Sequence, residues 1–244
     1  MTSPGAPARS GTPIVQPDLR ILVLLAALAG TTALTVVLGV TDPAAPLSYP
    51  SLFMVWNLFL AWIPYVLALA MTGLDRVRAP DWVLAPVGVA WLLFLPNAPY
   101  ILTDFIHLGA IPGAPRWFDV LLIGSFAATG LLLGLASLLL VHHVVEARRG
   151  RVAGWVLAIG SLALSSIGIY LGRFPRFNSW DVLANPEGLV GVVLHRLGDP
   201  FGNPFLLGFV AAMTVGLVLS YLLTLALGQV VVRRSIGRVV QPGA

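Results

Sequence analysis

Six long apolar runs, separated by short polar or charged stretches, set the pattern of this chain. They fall at about residues 21–40, 52–74, 82–102, 120–145, 152–171 and 205–232. At roughly 1.5 Å per residue each can cross a hydrocarbon core about 30 Å thick. A lone segment in lipid satisfies its own backbone polar groups only as a helix, so each run predicts a transmembrane helix. The first run is longer than the apolar part of a secretory signal and lacks a small-x-small cleavage site after it, which predicts a retained anchor. The third run is interrupted after Leu95 by Pro-Asn-Ala-Pro.

A further apolar piece, residues 188–197, is too short to span. Asn185 can cap it, Pro186 suits its first turn and Gly198 can end it. It predicts a short interfacial or re-entrant helix between the fifth and sixth spans. Residues 1–18, rich in Pro, Gly, Ser and Ala, predict a disordered tail, and residues 233–244 a second tail. The expected fold is an all-α integral membrane protein: one domain over residues 19–232, built as a bundle of six transmembrane helices.

Composition agrees with this pattern. Of 244 residues 58% are hydrophobic and 10% charged, with a mean hydropathy of +0.92. That leaves too little polar surface to coat a water-soluble globule. A net charge of +4 would raise the question of nucleic acid in a soluble chain. Here the basic residues, all arginine, cluster between apolar runs, where they encode topology. The expected partner is therefore membrane lipid, with no nucleic acid. Six spans put Arg9, Arg20, Arg76, Arg78, Arg148, Arg149, Arg151, Arg233, Arg234 and Arg238 on one side, and Arg116, Arg173, Arg176 and Arg196 on the other. The positive-inside rule then predicts a plasma-membrane protein with both termini cytoplasmic. The absence of cysteine excludes disulfides, thiolate metal sites and cysteine nucleophiles.

Small residues recur at every fourth position of the sixth run: Gly208, Ala212, Gly216, Ser220, Thr224 and Gly228. Such a stripe lets a neighbouring helix approach closely. Packing within the bundle is the favoured reading, and a helix–helix partner or homo-oligomer through Gly208, Ala212, Gly216 and Ser220 uses the same spacing. Gly130–Gly134 and Gly168–Gly172 repeat the motif on the fourth and fifth runs.

Two stretches could carry chemistry, both on the side away from the termini. After Pro96 and Pro99 break the third helix, Asn97 can cap a fresh short helix. On that helix Tyr100, Asp104 and His107 share a face. An acid and an imidazole one turn apart can bind a metal, relay a proton or form an acid–base pair. An exposed loop pair is the plainer alternative. The second stretch, Arg173-Phe-Pro-Arg-Phe-Asn-Ser-Trp-Asp181, sets two guanidiniums, an amide (Asn178) and a carboxylate among aromatics. Arginines in that setting suit a phosphate, a carboxylate or a lipid headgroup. Interfacial anchoring by Arg173 and Arg176, or a salt bridge such as Arg176–Asp104 or Arg173–Asp181, competes with that reading. His142 and His143 read as a wetted pair at a membrane interface, and Asn57 as an interhelical hydrogen bond. No Walker loop, dinucleotide glycine pattern, His-Glu-x-x-His or Gly-x-Ser-x-Gly is present, and no metal or cofactor is indicated. No acid sits at the middle of a span, which weighs against an ion-coupled pump.

These same stretches, Trp91 to Leu108, Trp117 to Leu122 and Arg173 to Asp181, together with Trp56 to Tyr65, resemble the bacterial membrane family called domain of unknown function 1361. The resemblance implies a multi-pass bacterial membrane protein and carries no catalytic residues over. The expected function is an outer-face polar site for a lipid headgroup or small anion. Arg173 and Arg176 would hold the anion, with Asn97, Tyr100 and Asn178 beside them. Asp104, His107 and Asp181 would be polar partners or acid–base groups. If the site is enzymatic, transfer or hydrolysis on a lipid-linked substrate fits it. A transporter component and a non-enzymatic assembly subunit are the competing classes.

Overall fold

The structure, a computed structural model, describes residues 19–41, 51–109, 115–198 and 202–240. The tail expected over residues 1–18 lies outside them, as does 241–244. Six helical segments are long and apolar enough to cross a membrane, and among the described residues there are no strands. The protein is an all-α, multi-pass membrane bundle.

The spans are α1 (Leu19–Val40), α2 (Ser51–Arg76), α3 (Asp81–Phe94), α5 (Arg116–Arg149), α6 (Arg151–Arg173) and α9 (Pro204–Val240). α3 is continued by a one-turn helix, α4 (Asn97–Tyr100), and a 3-10 helix, Ile101–His107. Between α6 and α9 lie α7 (Asp181–Ala184) and α8 (Pro186–Gly198). α8 is the expected short helix, and the Gly188 N–H donates to Asn185 Oδ1 at 3.1 Å, the cap its sequence suggested. α9 runs on through residues 233–240, which the hydropathy pattern had assigned to a tail.

α5 is the central helix and the most buried, touching α1, α2, α4, α6 and α9. Its core residues Leu122, Ile123, Phe126 and Leu133 pack with Met54, Leu58 and Tyr65 of α2. Lipid offers no hydrophobic gain on helix association, so close packing and buried hydrogen bonds hold such a bundle. Trp91 Nε1 donates to Ser137 Oγ at 2.7 Å, and Ser137 donates onward to the Pro64 carbonyl at 2.9 Å, tying α3, α5 and α2. Trp62 Nε1 donates to Thr32 Oγ1 (3.1 Å), and Thr35 pairs with Thr129 (3.3 Å), which fastens α1 to α2 and α5.

Two of the three small-residue motifs receive the broken third segment. A Cβ on Gly130 would stand 2.6 Å from the Ala98 carbonyl oxygen, and one on Gly134 3.1 Å from Ala98 Cβ. On α6, a Cβ at Gly168 would lie 2.7 Å from Pro96 Cγ, and one at Gly172 3.2 Å from the Tyr100 ring. The stripe on α9 departs from its favoured reading. A Cβ on Gly208 or Gly216 meets nothing within 4 Å, and both residues are exposed. α9 instead packs on α6 through Leu206, Leu217 and Tyr221, beside an aromatic cluster of Tyr170, Phe174, Phe205 and Phe209. Large apolar side chains, rather than small ones, make that contact.

At the end where α1 begins, called proximal below, Arg148 closes the α2–α3 turn. Its Nε donates to Asp75 (2.5 Å), its Nη1 to Asp81 (3.0 Å), and both Nη atoms to the Ala79 carbonyl (3.0 Å). Arg149 also pairs with Asp81. His142 is not wetted. It is 4% exposed, with Nδ1 2.6 Å from the Tyr221 hydroxyl, and a Cβ on Gly154 would meet its ring at 2.7 Å. The missing side chain at Gly154 lets the imidazole into the α5–α6–α9 junction. His143 stays exposed, against the Leu139 carbonyl.

Candidate functional site

The site lies at the opposite, distal end, where the third segment breaks. Pro96 and Pro99 carry no N–H, so the α-helical ladder cannot pass through them intact. The chain changes to one α turn and then to 3-10 winding over residues 101–107. Three residues per turn put Ile101, Asp104 and His107 on one face. Along that face polarity rises toward the membrane edge: Ile101 and Asp104 are fully buried, and His107 is half-buried.

Asp104 therefore enters the bundle and is not part of an exposed loop pair. A bare carboxylate there would be costly, and the fold supplies partners. Asn57 Nδ2 of α2 donates to Oδ2 at 3.2 Å, and Arg173 Nη1 of α6 to Oδ1 at 3.2 Å. Arg173 is the last residue of α6, so its side chain lies over the distal rim, 13% exposed. The same Nη1 is 3.5 Å from the Tyr100 hydroxyl, and the guanidinium carbon is 5.9 Å from the centre of the Tyr100 ring. Arg173 Nη2 is 3.4 Å from His107 Nε2, which accepts the bond when the ring proton sits on Nδ1. Three of the five guanidinium N–H groups thus point at protein atoms. The salt bridge joins Arg173 to Asp104, a pairing that neither Arg176–Asp104 nor Arg173–Asp181 anticipated.

Asn97 does not cap the new helix. Its Nδ2 donates backward to the Phe94 carbonyl (3.0 Å), one of those the proline break leaves open, and across to Ser179 Oγ (2.8 Å). This second bond brings the two polar stretches together. Beyond Arg173 the chain turns at Arg176, whose φ of +67° lies in the left-handed region, and Phe177 N–H returns to the Leu171 carbonyl at 3.1 Å. Arg176 and Asn178 are exposed at this turn. Asp181 accepts the Asn178 N–H at 2.5 Å, so its carboxylate closes the loop before α7. Arg173, Tyr100, Asp104 and His107 thus form one cluster. Asn97 fastens it, and Arg176, Asn178 and Asp181 belong to the loop above.

Two residues outside the expected set belong here. Asn57 is a direct partner of Asp104, and as an amide in an apolar helix it was legible as an interhelical bond. Ser179 had no distinguishing signal. Asp119, in the first turn of α5, is buried; one oxygen accepts the Gly109 N–H at 3.0 Å and the other has no hydrogen-bond partner among the described residues. Gly109, with φ of +81°, adopts a backbone that other residues seldom take. Asp104 thereby holds the middle of the 3-10 arm and Asp119 the turn that follows it. Among the described residues no group of three or more metal-ligating side chains occurs.

The chain matches the family described as protein of unknown function (DUF1361) over residues 56–220, more than half its length, and it belongs to that family. The matched region contains every member of the cluster and leaves out α1. No curated protein and no solved structure matches the chain.

Proposed function

We propose that this member of the family binds an anionic group, the phosphate or carboxylate of a lipid headgroup or of a small solute, at the distal rim through Arg173. The observation that carries this reading is the pose of Arg173. A fully buried carboxylate fixes one edge of the guanidinium, while the side chain keeps some exposure at the membrane edge. A planar fork already oriented by Asp104 loses little freedom on receiving an oxyanion. Two of its five N–H groups remain available among the described residues. Arg176, exposed on the loop above, adds a second cation. Polar groups that accept the expense of burial in a membrane protein face a bundle interior or a cavity and mark functional positions. The bias of arginine toward the proximal side supports assigning the distal end to the outer face of a bacterial plasma membrane.

The test is calorimetric titration of the purified protein with inorganic phosphate and with short-chain phosphatidic acid. Asp104→Asn/Arg173→Gln keeps the shape of the pair and removes both charges. Saturable binding by the native protein, weakened about tenfold or more in this variant, is the expected result. A response to phosphate alone identifies a soluble anion, and a response to the lipid alone a headgroup. If the folded variant binds both probes as the native protein does, the reading is wrong.

A further inference from the structure

A shallow, open hollow of about 510 Å³ lies along one outward face of α6 at the proximal end, lined by Arg151, Val152, Trp155, Val156, Ile159 and Gly160 of that helix alone, and is called the groove below. Apart from Arg151 its walls are apolar, and Val152, Val156 and Ile159 are exposed. Gly160 leaves the groove open, since a Cβ there would meet nothing within 4 Å. The charge balance at its mouth is uneven. Arg148 and Arg149 are committed to Asp75 and Asp81, whereas Arg151 makes no ion pair among the described residues. The dimensions suit one occupant. From Arg151 to Gly160 the helix rises about 14 Å, close to half of a hydrocarbon core roughly 30 Å thick. One acyl chain of one leaflet would fill that length with its headgroup beside Arg151.

We infer that this groove is a binding site for an anionic phospholipid, its acyl chain along Val152, Val156, Ile159 and Gly160 and its phosphate on Arg151. The cation at the membrane edge matches a headgroup with net negative charge, and the apolar floor matches a chain. Trp155, held from behind by His142 at 5.2 Å and by Tyr221 at 6.4 Å between ring centres, gives the groove a stiff wall. The site is independent of the distal cluster, because Arg151 and Arg173 stand at opposite ends of α6.

Native mass spectrometry of the full chain in mild detergent tests this, with phosphatidylglycerol and phosphatidylcholine of equal chain length as probes. The expected result is about tenfold stronger retention of phosphatidylglycerol, reduced to the phosphatidylcholine level by Arg151→Gln. Gly160→Leu fills the groove and should abolish the preferred binding while Arg151 remains. Val156→Trp does the same from an exposed position, should Gly160→Leu disturb the fold. Asp104→Asn/Arg173→Gln should leave this binding unchanged, so failure here and failure of the distal site are separable. Equal retention of the two lipids by the native protein overturns the inference, as does native-like retention by Arg151→Gln. Loss with Arg151→Gln but not with either filling variant would reduce the site to a headgroup contact and overturn the groove.

Discussion

Arg173→Gln removes the one cation that is ion-paired with the Asp104 carboxylate among the described residues. In the native protein Asp104 is fully buried and, among the described residues, hydrogen-bonded to Arg173 and Asn57. The variant leaves Asn57 as a single neutral donor to a buried anion. Breaking a buried pair from one side costs about 3–5 kcal/mol, because the remaining charge has lost its compensation. Neutralising both partners avoids that penalty. Asp104→Asn/Arg173→Gln retains the volumes and an amide–amide hydrogen bond, so it should lie within about 1–2 kcal/mol of the native protein. The double variant should therefore be roughly 2–3 kcal/mol more stable than Arg173→Gln alone. Reversible unfolding in mixed micelles, titrated with dodecyl sulfate and followed by far-ultraviolet circular dichroism, measures it. Arg149→Gln, which removes a pair with both side chains more than half exposed, is the control and should leave the midpoint unchanged. The reasoning is refuted if Arg173→Gln is as stable as the native protein, or if the double variant is no more stable than Arg173→Gln.

Four further outcomes follow from the same geometry. Gly130→Ala forces a methyl to 2.6 Å from the Ala98 carbonyl and should destabilise by about 2 kcal/mol or more, read by the same unfolding assay. Gly216→Ala points into open space on α9 and should be neutral or stabilise by up to about 1 kcal/mol. Arg176→Gly relieves a left-handed residue costing about 1 kcal/mol, so stability should hold or rise while binding of phosphatidic acid at the distal rim weakens. Replacing Trp91 by Phe removes the Nε1 donor to Ser137 and should cost about 1 kcal/mol of stability without altering lipid binding.

The six spans were legible because length and hydropathy answer directly to the thickness of a bilayer. The Pro-Asn-Ala-Pro break was legible because proline lacks the donor a helix needs. Partner choice was harder to read. Arg173 has several acids on its side of the membrane, Asp104 and Asp181 among them, and which one it meets depends on how far the broken segment sinks between α5 and α6. That depth is set by Gly130, Gly134, Gly168 and Gly172, whose spacing was visible but whose counterpart was not. The α9 stripe has the same spacing, yet a Cβ on its Gly208, Gly216 or Gly228 meets nothing within 4 Å, so small-xxx-small periodicity reports capacity for close approach and leaves its use open. His142 misled for a related reason. Its position near a helix end suggested water, but Gly154 on the next helix clears the room that buries it.

The placement of the cluster follows from a single local conflict. A continuous third helix would point Asp104 wherever the α period carried it. By withholding two N–H groups, Pro96 and Pro99 convert the segment to 3-10 winding, which stacks Ile101, Asp104 and His107 on one face and presses the first two into the bundle. With the winding tightened, the Ala98 N–H bonds the Leu95 carbonyl and leaves that of Phe94 to Asn97, whose second bond to Ser179 draws the loop after α6 across the break. Arg173 is then held where the buried carboxylate can reach it. The break, its repair and the charge pair are therefore coupled. Asn97→Ala should loosen the Ser179 contact and increase solvent access to Arg173 while leaving the Asp104 bond in place. Faster modification of Arg173 by phenylglyoxal, followed by peptide mass spectrometry, would show it. An unchanged rate would mean that the loop after α6 is positioned by its own turn at Arg176 and needs no help from the broken helix.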